Sequence, residues 1–269
     1  MISFLFWNTD RRPIRQLVAA MAREHKADIV ILAEPPGPPG VMLPALNAAS
    51  VDYDFPVSNC GRIDLYTRFS EGCWQRLRED KWFSLRRLRL PGRPDLLIAA
   101  AHLESRLRAE RKAQDYNLAI WADEIRRAED LAGHRRTVFI GDINMDPFDD
   151  GVVHATGLHA VMSRALARKG GREVKQRRWP FFYNPMWRFY GNRPPQPHGT
   201  FFRARGDAVS HFWHIFDQVL VRPELLDAFD EDSLRIVTRC GDVRLVDDAG
   251  MIDEEAGSDH LPLVFRLNL

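Results

Sequence analysis

Short apolar runs recur along the chain, and the residues between them fall at helical spacing. ISFLFW, from Ile2 to Trp7, and IVILA, from Ile29 to Ala33, are continuous hydrophobic runs of strand length, the mark of strands deep in a core. The second stops at Glu34 and the breaker run PPGPPG. Residues 14–24 read as a helix between them. Further strands are predicted over residues 62–67, 82–90, 96–102, 137–140, 216–221, 234–238 and 261–267. Residues 106–129 give the clearest helix, because Leu118, Trp121, Ile125 and Ala128 recur at helical spacing while Arg, Lys, Asp and Glu fill the other faces. Another helix is predicted near 157–168, followed by a long irregular stretch, 169–209. Strands alternating with helices define an α/β class. With no internal repeat and no linker composition, the pattern predicts one domain over residues 1–269.

Composition narrows the picture. A chain of 269 residues, 45% hydrophobic, can bury a large core. Its longest apolar runs are too short to span a bilayer, and MISFLFWNTDRRP carries neither a basic region ahead of its apolar residues nor a small-residue cleavage site, which predicts a cytoplasmic protein. Cys60, Cys73 and Cys240 are odd in number and far apart, as expected of reduced thiols. A net charge of +1 gives no global attraction to polyanions, so any such argument rests on local patches.

The candidate chemistry gathers at strand ends. Asn8 and Asp10 follow the first strand, Glu34 the second, and His102 ends another. Asp142 and Asn144 sit in GDIN, Asp217 opens the strand of FDQVLV, and Asp259-His260 precedes the last strand. Strand ends hold ionisable groups rigidly beside variable loops. An all-oxygen set of carboxylates and amides suits a hard cation such as magnesium, and the absence of cysteine from these motifs argues against thiolate-bound zinc.

Taken in order, WN at Trp7-Asn8, the lone Glu34, HL at His102-Leu103 with RKAQ at Arg111 to Gln114, GDIN, FDQVLV and SDHLPL resemble the endonuclease/exonuclease/phosphatase superfamily. The resemblance runs from residue 2 to residue 267. It implies two β-sheets packed face to face with helices on both outer faces, a four-layer α/β sandwich, and cleavage of phosphoester bonds with Mg2+, or Mn2+ in its place. It further implies that Glu34, helped by Asn8, Asp10 and Asp259, holds the metal, that His260 pairs with Asp217, that Asn144 donates to a phosphate oxygen, and that His102 contacts the phosphate or leaving group. Either Asp142 or His260 serves as the base. The chain departs from the abasic-site branch at Asp10-Arg11-Arg12, Pro36 and His102, and so is more similar to the deoxyribonuclease, deadenylase and sphingomyelinase branches. The glutamate that orients the equivalent histidine in deoxyribonuclease I has no counterpart in FSLRRL, which offers Arg86 and Arg87.

Plainer roles compete for several of these residues. Asp10 is also a good residue ahead of a helix that starts on proline. Arg111 and Gln114 either contact the site or pack their helix. His154, His159, His211 and His214 read as structural, and DPFDDG as a turn without the alternation of a calcium loop. The stretch 169–209 interleaves basic residues, among them Arg177, Arg178, Arg193 and Arg205 against Glu173 and Asp207, with aromatics that include Trp179 and Trp187. Neutralised phosphates and stacked bases ask for that composition; aromatics packing the loop onto the body would also produce it. The leading expectation is a metal-dependent phosphodiesterase acting on nucleic acid, with Arg111, Arg177, Arg178, Trp179 and Trp187 as substrate contacts. The alternatives are an enzyme for a small phosphoester, such as an inositol phosphate or a phospholipid head group, and a binding module without turnover.

Overall fold

The computed structural model describes residues 1–48, 51–105, 111–191, 197–204 and 210–269. The first residues of the helix predicted from 106, and Arg193, Arg205 and Asp207, lie outside them. Two mixed sheets make up the body. The five-stranded sheet runs in the order Phe229–Ile236, Leu263–Leu267, Ile2–Asn8, Ile29–Ala33, Ile63–Thr67. The seven-stranded sheet runs Trp74–Glu79, Phe83–Leu88, Leu96–His102, Thr137–Asp142, Asp217–Val221, Phe182–Tyr183, Ala160–Val161. Ile2–Asn8 is parallel to Ile29–Ala33, and Leu96–His102 to Thr137–Asp142. Parallel neighbours need a crossover, which the helices Arg15–Glu24 and Arg111–Ala132 supply.

Side chains alternate across each strand, and both faces of the central strands are covered. Leu97, Ala99, Ala101, Phe139 and Leu220 pack with Leu118, Trp121 and Ile125 of the helix Arg111–Ala132. Their neighbours Ile98, Ala100, Val138, Ile140, Val219 and Val221 join Phe4, Phe6, Ile29 and Ile31 in the core shared with the other sheet. Helix Arg15–Glu24 buries Val18, Ala19, Met21 and Ala22. The result is a sandwich of two sheets with outer helices, and the double burial explains why the strands read as unbroken apolar runs. No helix among the described residues is long and apolar enough to cross a membrane, and Cys60, Cys73 and Cys240 are free thiols.

Gly141 of GDIN pairs with Ala101, one position before the pair His102 and Asp142. A Cβ there would stand 2.1 Å from the Ala101 carbonyl oxygen. Gly141→Ala should therefore separate the two central strands and lower stability by about 3 kcal/mol or more, beyond ordinary overpacking because the obstacle is backbone. Thermal unfolding of the variant measures it.

Three segments differ from the sequence-based expectation. In place of one helix near 157–168 there is an edge strand, Ala160–Val161, and a short helix, Arg164–Ala167, because Phe182–Tyr183 offers the strand a partner. The described part of the stretch after residue 169 contains regular structure: Gly171–Val174 and Arg177–Pro180 form a hairpin whose turn residues, Lys175 and Gln176, adopt positive φ. That conformation usually announces itself as Asn-Gly or Asp-Gly, and Lys-Gln gives no such signal. Phe201–Phe202 and Trp213–His214 form a second ribbon. Finally, the breaker run leads into an unpredicted helix, Pro39–Asn47, with proline in its first turn, where no backbone N–H is needed.

Asp64, buried on Ile63–Thr67, accepts a hydrogen bond of 2.8 Å from Tyr66 Oη. Burial outweighs that bond and pushes its pKa up to about 6. A raised folded-state value means its contribution to stability is fully present below the unfolded pKa near 3.8 and is lost as pH rises through about 6. Asp64→Asn should therefore stabilise the protein above pH 6, by about 1 to 3 kcal/mol, and leave it unchanged near pH 4; denaturant titrations at the two pH values test this.

Candidate active site

Strand register assembles the site. His102 and Asp142 are directly paired across parallel strands, and Asp142 is paired with Asp217 across the next, antiparallel pair. Three ionisable side chains thus stand in a row on neighbouring strands at one end of the seven-stranded sheet. Asn8 ends a strand of the opposite sheet, and its Nδ2 donates to Asp142 Oδ2 at 2.8 Å, tying the two sheets together above the core. His260 reaches the same place from the amino end of Leu263–Leu267, with Nδ1 at 2.7 Å from Asp217 Oδ2 and Nε2 at 3.8 Å from Asp142 Oδ2. Ser258 and Trp7 fix that approach: Ser258 Oγ donates to the Asn8 carbonyl and Trp7 Nε1 to the His260 carbonyl, each at 2.8 Å.

Several of these residues hold strained backbone. Asp10, Arg11, Glu34 and Asn144 have φ of 46, 54, 44 and 47°, a region that costs a non-glycine residue free energy and recurs where side chains must be aimed. Glu34 is aimed at the cluster, with Oε1 at 3.8 Å from His102 Nε2. Arg62 Nη1 contacts the same oxygen at 2.9 Å, and Arg11 Nε lies 3.2 Å from Oε2. Asn144 accepts nothing from the cluster; its backbone N–H donates to Asp142 Oδ1 at 3.0 Å and its Nδ2 to the Leu103 carbonyl at 2.8 Å, with a second amide hydrogen remaining.

The electrostatics separate the two imidazoles. Burial would lower the pKa of His260, but Asp217 and Asp142 outweigh it and hold the group at about 10. His102, equally enclosed, is pulled below its ordinary value by burial against the smaller opposing effect of Asp142. Asp142 is raised by burial, with His260 working against the shift. One histidine is therefore cationic and the other neutral at pH 7, beside a carboxylate of raised basicity, an arrangement typical of divided acid and base roles.

His102 is held differently from the deoxyribonuclease pattern. Arg86 of FSLRRL is committed to Glu79 and Arg87 to Asp95. Instead the His102 ring meets the Trp82 ring edge-on at 5.8 Å, and Arg62 lies over Trp82 at 4.6 Å. Its Nδ1 is buried and has no hydrogen-bond partner among the described residues. With Glu34 and Asp142 both facing Nε2, the proton of the neutral ring is favoured there. Trp82, Arg62 and Arg11 carry no local sequence sign of this role, because they are neither acids, amides nor imidazoles at strand ends.

The residues expected to bind metal converge in part. Burial raises the Asp10 pKa, and the charges of Asp259 and Glu34 raise it further against Arg12 and His260, so these three carboxylates stand near one another, with Arg11 and Arg62 on Glu34 and Arg12 on Asp10. An oxygen-only set of that kind fits a hard divalent cation. Asn8 is engaged at both ends of its amide, with Oδ1 accepting from the Asp10 N–H at 3.1 Å. Asp142, Asp217 and His260 also lie close enough to share an ion. That group is buried and hydrogen-bonded internally, whereas Glu34, Asp10 and Asp259 are open enough to keep the waters that magnesium retains.

The expected substrate contacts divide. Arg177, Arg178 and Trp179 are not brought to the cluster. Val221, at the opposite end of the strand from Asp217, is followed by Arg222, which binds the Pro180 and Phe181 carbonyls next to Trp179. There Trp179 is enclosed by the guanidinium groups of Arg126 and Arg177, and Arg178 binds the Lys169 carbonyl. The hairpin thus docks on the far edge of the sheet. Trp187 and Arg111 lie at the near end: Trp187 packs against Phe148, and Arg111 pairs with Asp149, in the loop after Asn144.

No family model and no curated protein matches the sequence. Solved structures match along the whole chain. TDP2 from D. rerio, complexed with single strand DNA product, superposes with TM-score 0.58 at 16% identity, covering 100% of this chain and 99% of that one. The endonuclease domain of TRAS1, a telomere-specific non-LTR retrotransposon, gives 0.55 at 16%, covering 100% and 99%. An AP endonuclease from Archaeoglobus fulgidus gives 0.53 at 15%, covering 100% of each chain. The chain has the α/β-sandwich fold of the endonuclease/exonuclease/phosphatase superfamily. An endonuclease/exonuclease/phosphatase family protein from Leptotrichia buccalis shares it with TM-score 0.56 at 10% identity, over 100% of each chain.

Proposed function

We propose that the protein is a divalent-metal-dependent phosphodiesterase that hydrolyses nucleic acid by in-line attack of water. The observation that carries this reading is the row His102, Asp142, Asp217 on three neighbouring strands, completed by His260 bonded to Asp217. Nucleases and a structure with a DNA product among the fold's neighbours agree with it. Asp142, clamped by Asn8 and by the Asn144 N–H, orients the water and accepts its proton. The His260 imidazolium, held by Asp217, stabilises charge on the non-bridging oxygens. His102 and the remaining amide hydrogen of Asn144 donate to phosphate or leaving-group oxygens. Glu34, with Asp10 and Asp259 and with Asn8 beside them, would hold Mg2+, which adds Lewis-acid stabilisation of the same charge when bound.

The test is a substrate panel of labelled single- and double-stranded DNA and RNA together with small phosphoesters, each with magnesium, manganese or chelator. Metal-dependent cleavage of a polynucleotide is the expected result. Turnover confined to inositol phosphates or phospholipid head groups would replace the nuclease reading, and binding of substrate without any turnover would replace the catalytic one.

A further inference from the structure

Asp146 lies two residues beyond Asn144 and is buried in the loop read from sequence as a turn. Its Oδ1 accepts from Tyr190 Oη at 2.8 Å and from the Ile215 N–H at 2.9 Å, while its Oδ2 lies 2.7 Å from His214 Nδ1. This is a second carboxylate–imidazole pair, built like that of Asp217 and His260, and it leaves Nε2 as the His214 nitrogen open to another group. Phe201 is near both imidazoles, 4.7 Å from the His260 ring and 6.4 Å from the His214 ring, centroid to centroid. From His214 the ring surface continues outward through His211, 6.5 Å away, to Phe148, which touches Trp187 and Tyr190. Phe148 is 39% exposed, and Trp187 and Tyr190 are half-buried.

We propose that Asp146 organises a subsite for the nucleotide next to the scissile phosphate, in which His214 contacts the sugar-phosphate and the faces of Phe148, Tyr190 and Trp187 take the base. The proposal rests on the nuclease reading and narrows it. Exposed aromatic rings accept any base through its π-face, but only a base free of its partner strand can lie on them. The occupant is therefore a single-stranded segment or a frayed end. Continuity with the catalytic cluster selects this occupant, because the ring surface begins at His260 and a chain held there must pass over it.

The experiment compares kcat/KM for a single-stranded trinucleotide with that for bis(4-nitrophenyl) phosphate, which has no base to place. Phe148→Ala should lower the ratio of the two about tenfold, through KM, as expected for one lost stacking surface. Phe148→Trp should restore it, and His214→Gln should lower it with kcat on the aryl diester followed separately. In parallel, the affinity of His260→Ala protein for a fluorescent single-stranded hexanucleotide should weaken about tenfold when Phe148→Ala is added. Unchanged ratios and affinities in variants of wild-type melting temperature would overturn the subsite while the phosphodiesterase reading stands. A wild-type protein that cleaves the aryl diester but neither cleaves nor binds oligonucleotide would overturn the nuclease reading, and the subsite with it.

Discussion

His260→Ala is expected to lower turnover on whichever phosphodiester the substrate panel selects by about a hundredfold or more, the cost of removing a positioned charge or proton donor from the transition state. Asp217→Asn should approach the same loss, because Asp217 fixes the ring through Nδ1 and sustains its charge. Since the two act as one unit, the double variant should be hardly worse than the worse single one; fully multiplicative losses would dissolve the dyad. The pH profile is a second readout. His260 stays protonated to about pH 10 in the folded protein, so activity should fall only as pH approaches that value, and Asp217→Asn should move the alkaline limb toward ordinary histidine. The same shift appears in stability. Because the folded-state pKa is raised, the stabilisation is complete below the unfolded value near 6.5 and disappears as pH rises through about 10. A stability curve flat across that window would contradict it.

Chelation is expected to abolish hydrolysis, and added magnesium or manganese to restore it, because transition-state charge would otherwise fall on a site already crowded with carboxylates. Glu34→Gln should raise the metal concentration needed for half-maximal rate by tenfold or more, an order-of-magnitude expectation for loss of an anionic ligand. Metal binding itself, followed by calorimetry with magnesium alone, should weaken in parallel. Asp10 and Asp259 provide the discriminating comparison. If they share the ion with Glu34, neutralising either weakens magnesium binding; if Asp10 serves only the turn after the first strand, Asp10→Asn alters stability and leaves metal affinity as it was. Full activity in chelator would remove the metal from the proposal.

The site was legible in part. Asn8, Glu34, His102, Asp142, Asp217 and His260 each follow or precede an apolar run, and a strand end is a position that a one-dimensional pattern reveals. In the sequence Trp82 reads only as the start of a strand, since nothing local says that a tryptophan will face a histidine from the neighbouring strand. His214 reads as structural in the sequence because an isolated histidine carries no sign of its partner, and Asp146 is 68 positions away.

The sequence by itself determined the alternation of buried strands and outer helices and which ionisable residues stand at strand ends, because these follow from side-chain polarity at periods of two and 3.6 along the chain. Only the tertiary structure decided which ends meet. Parallel pairing of Leu96–His102 with Thr137–Asp142 and antiparallel pairing with Asp217–Val221 put three groups in one row, and packing of the second sheet carried Asn8 and His260 onto them. It also carried Arg177, Arg178 and Trp179 to the other end of the sheet, although composition alone had grouped them with Trp187. Register and pairing are set by contacts between distant residues, which compete on total burial rather than local preference.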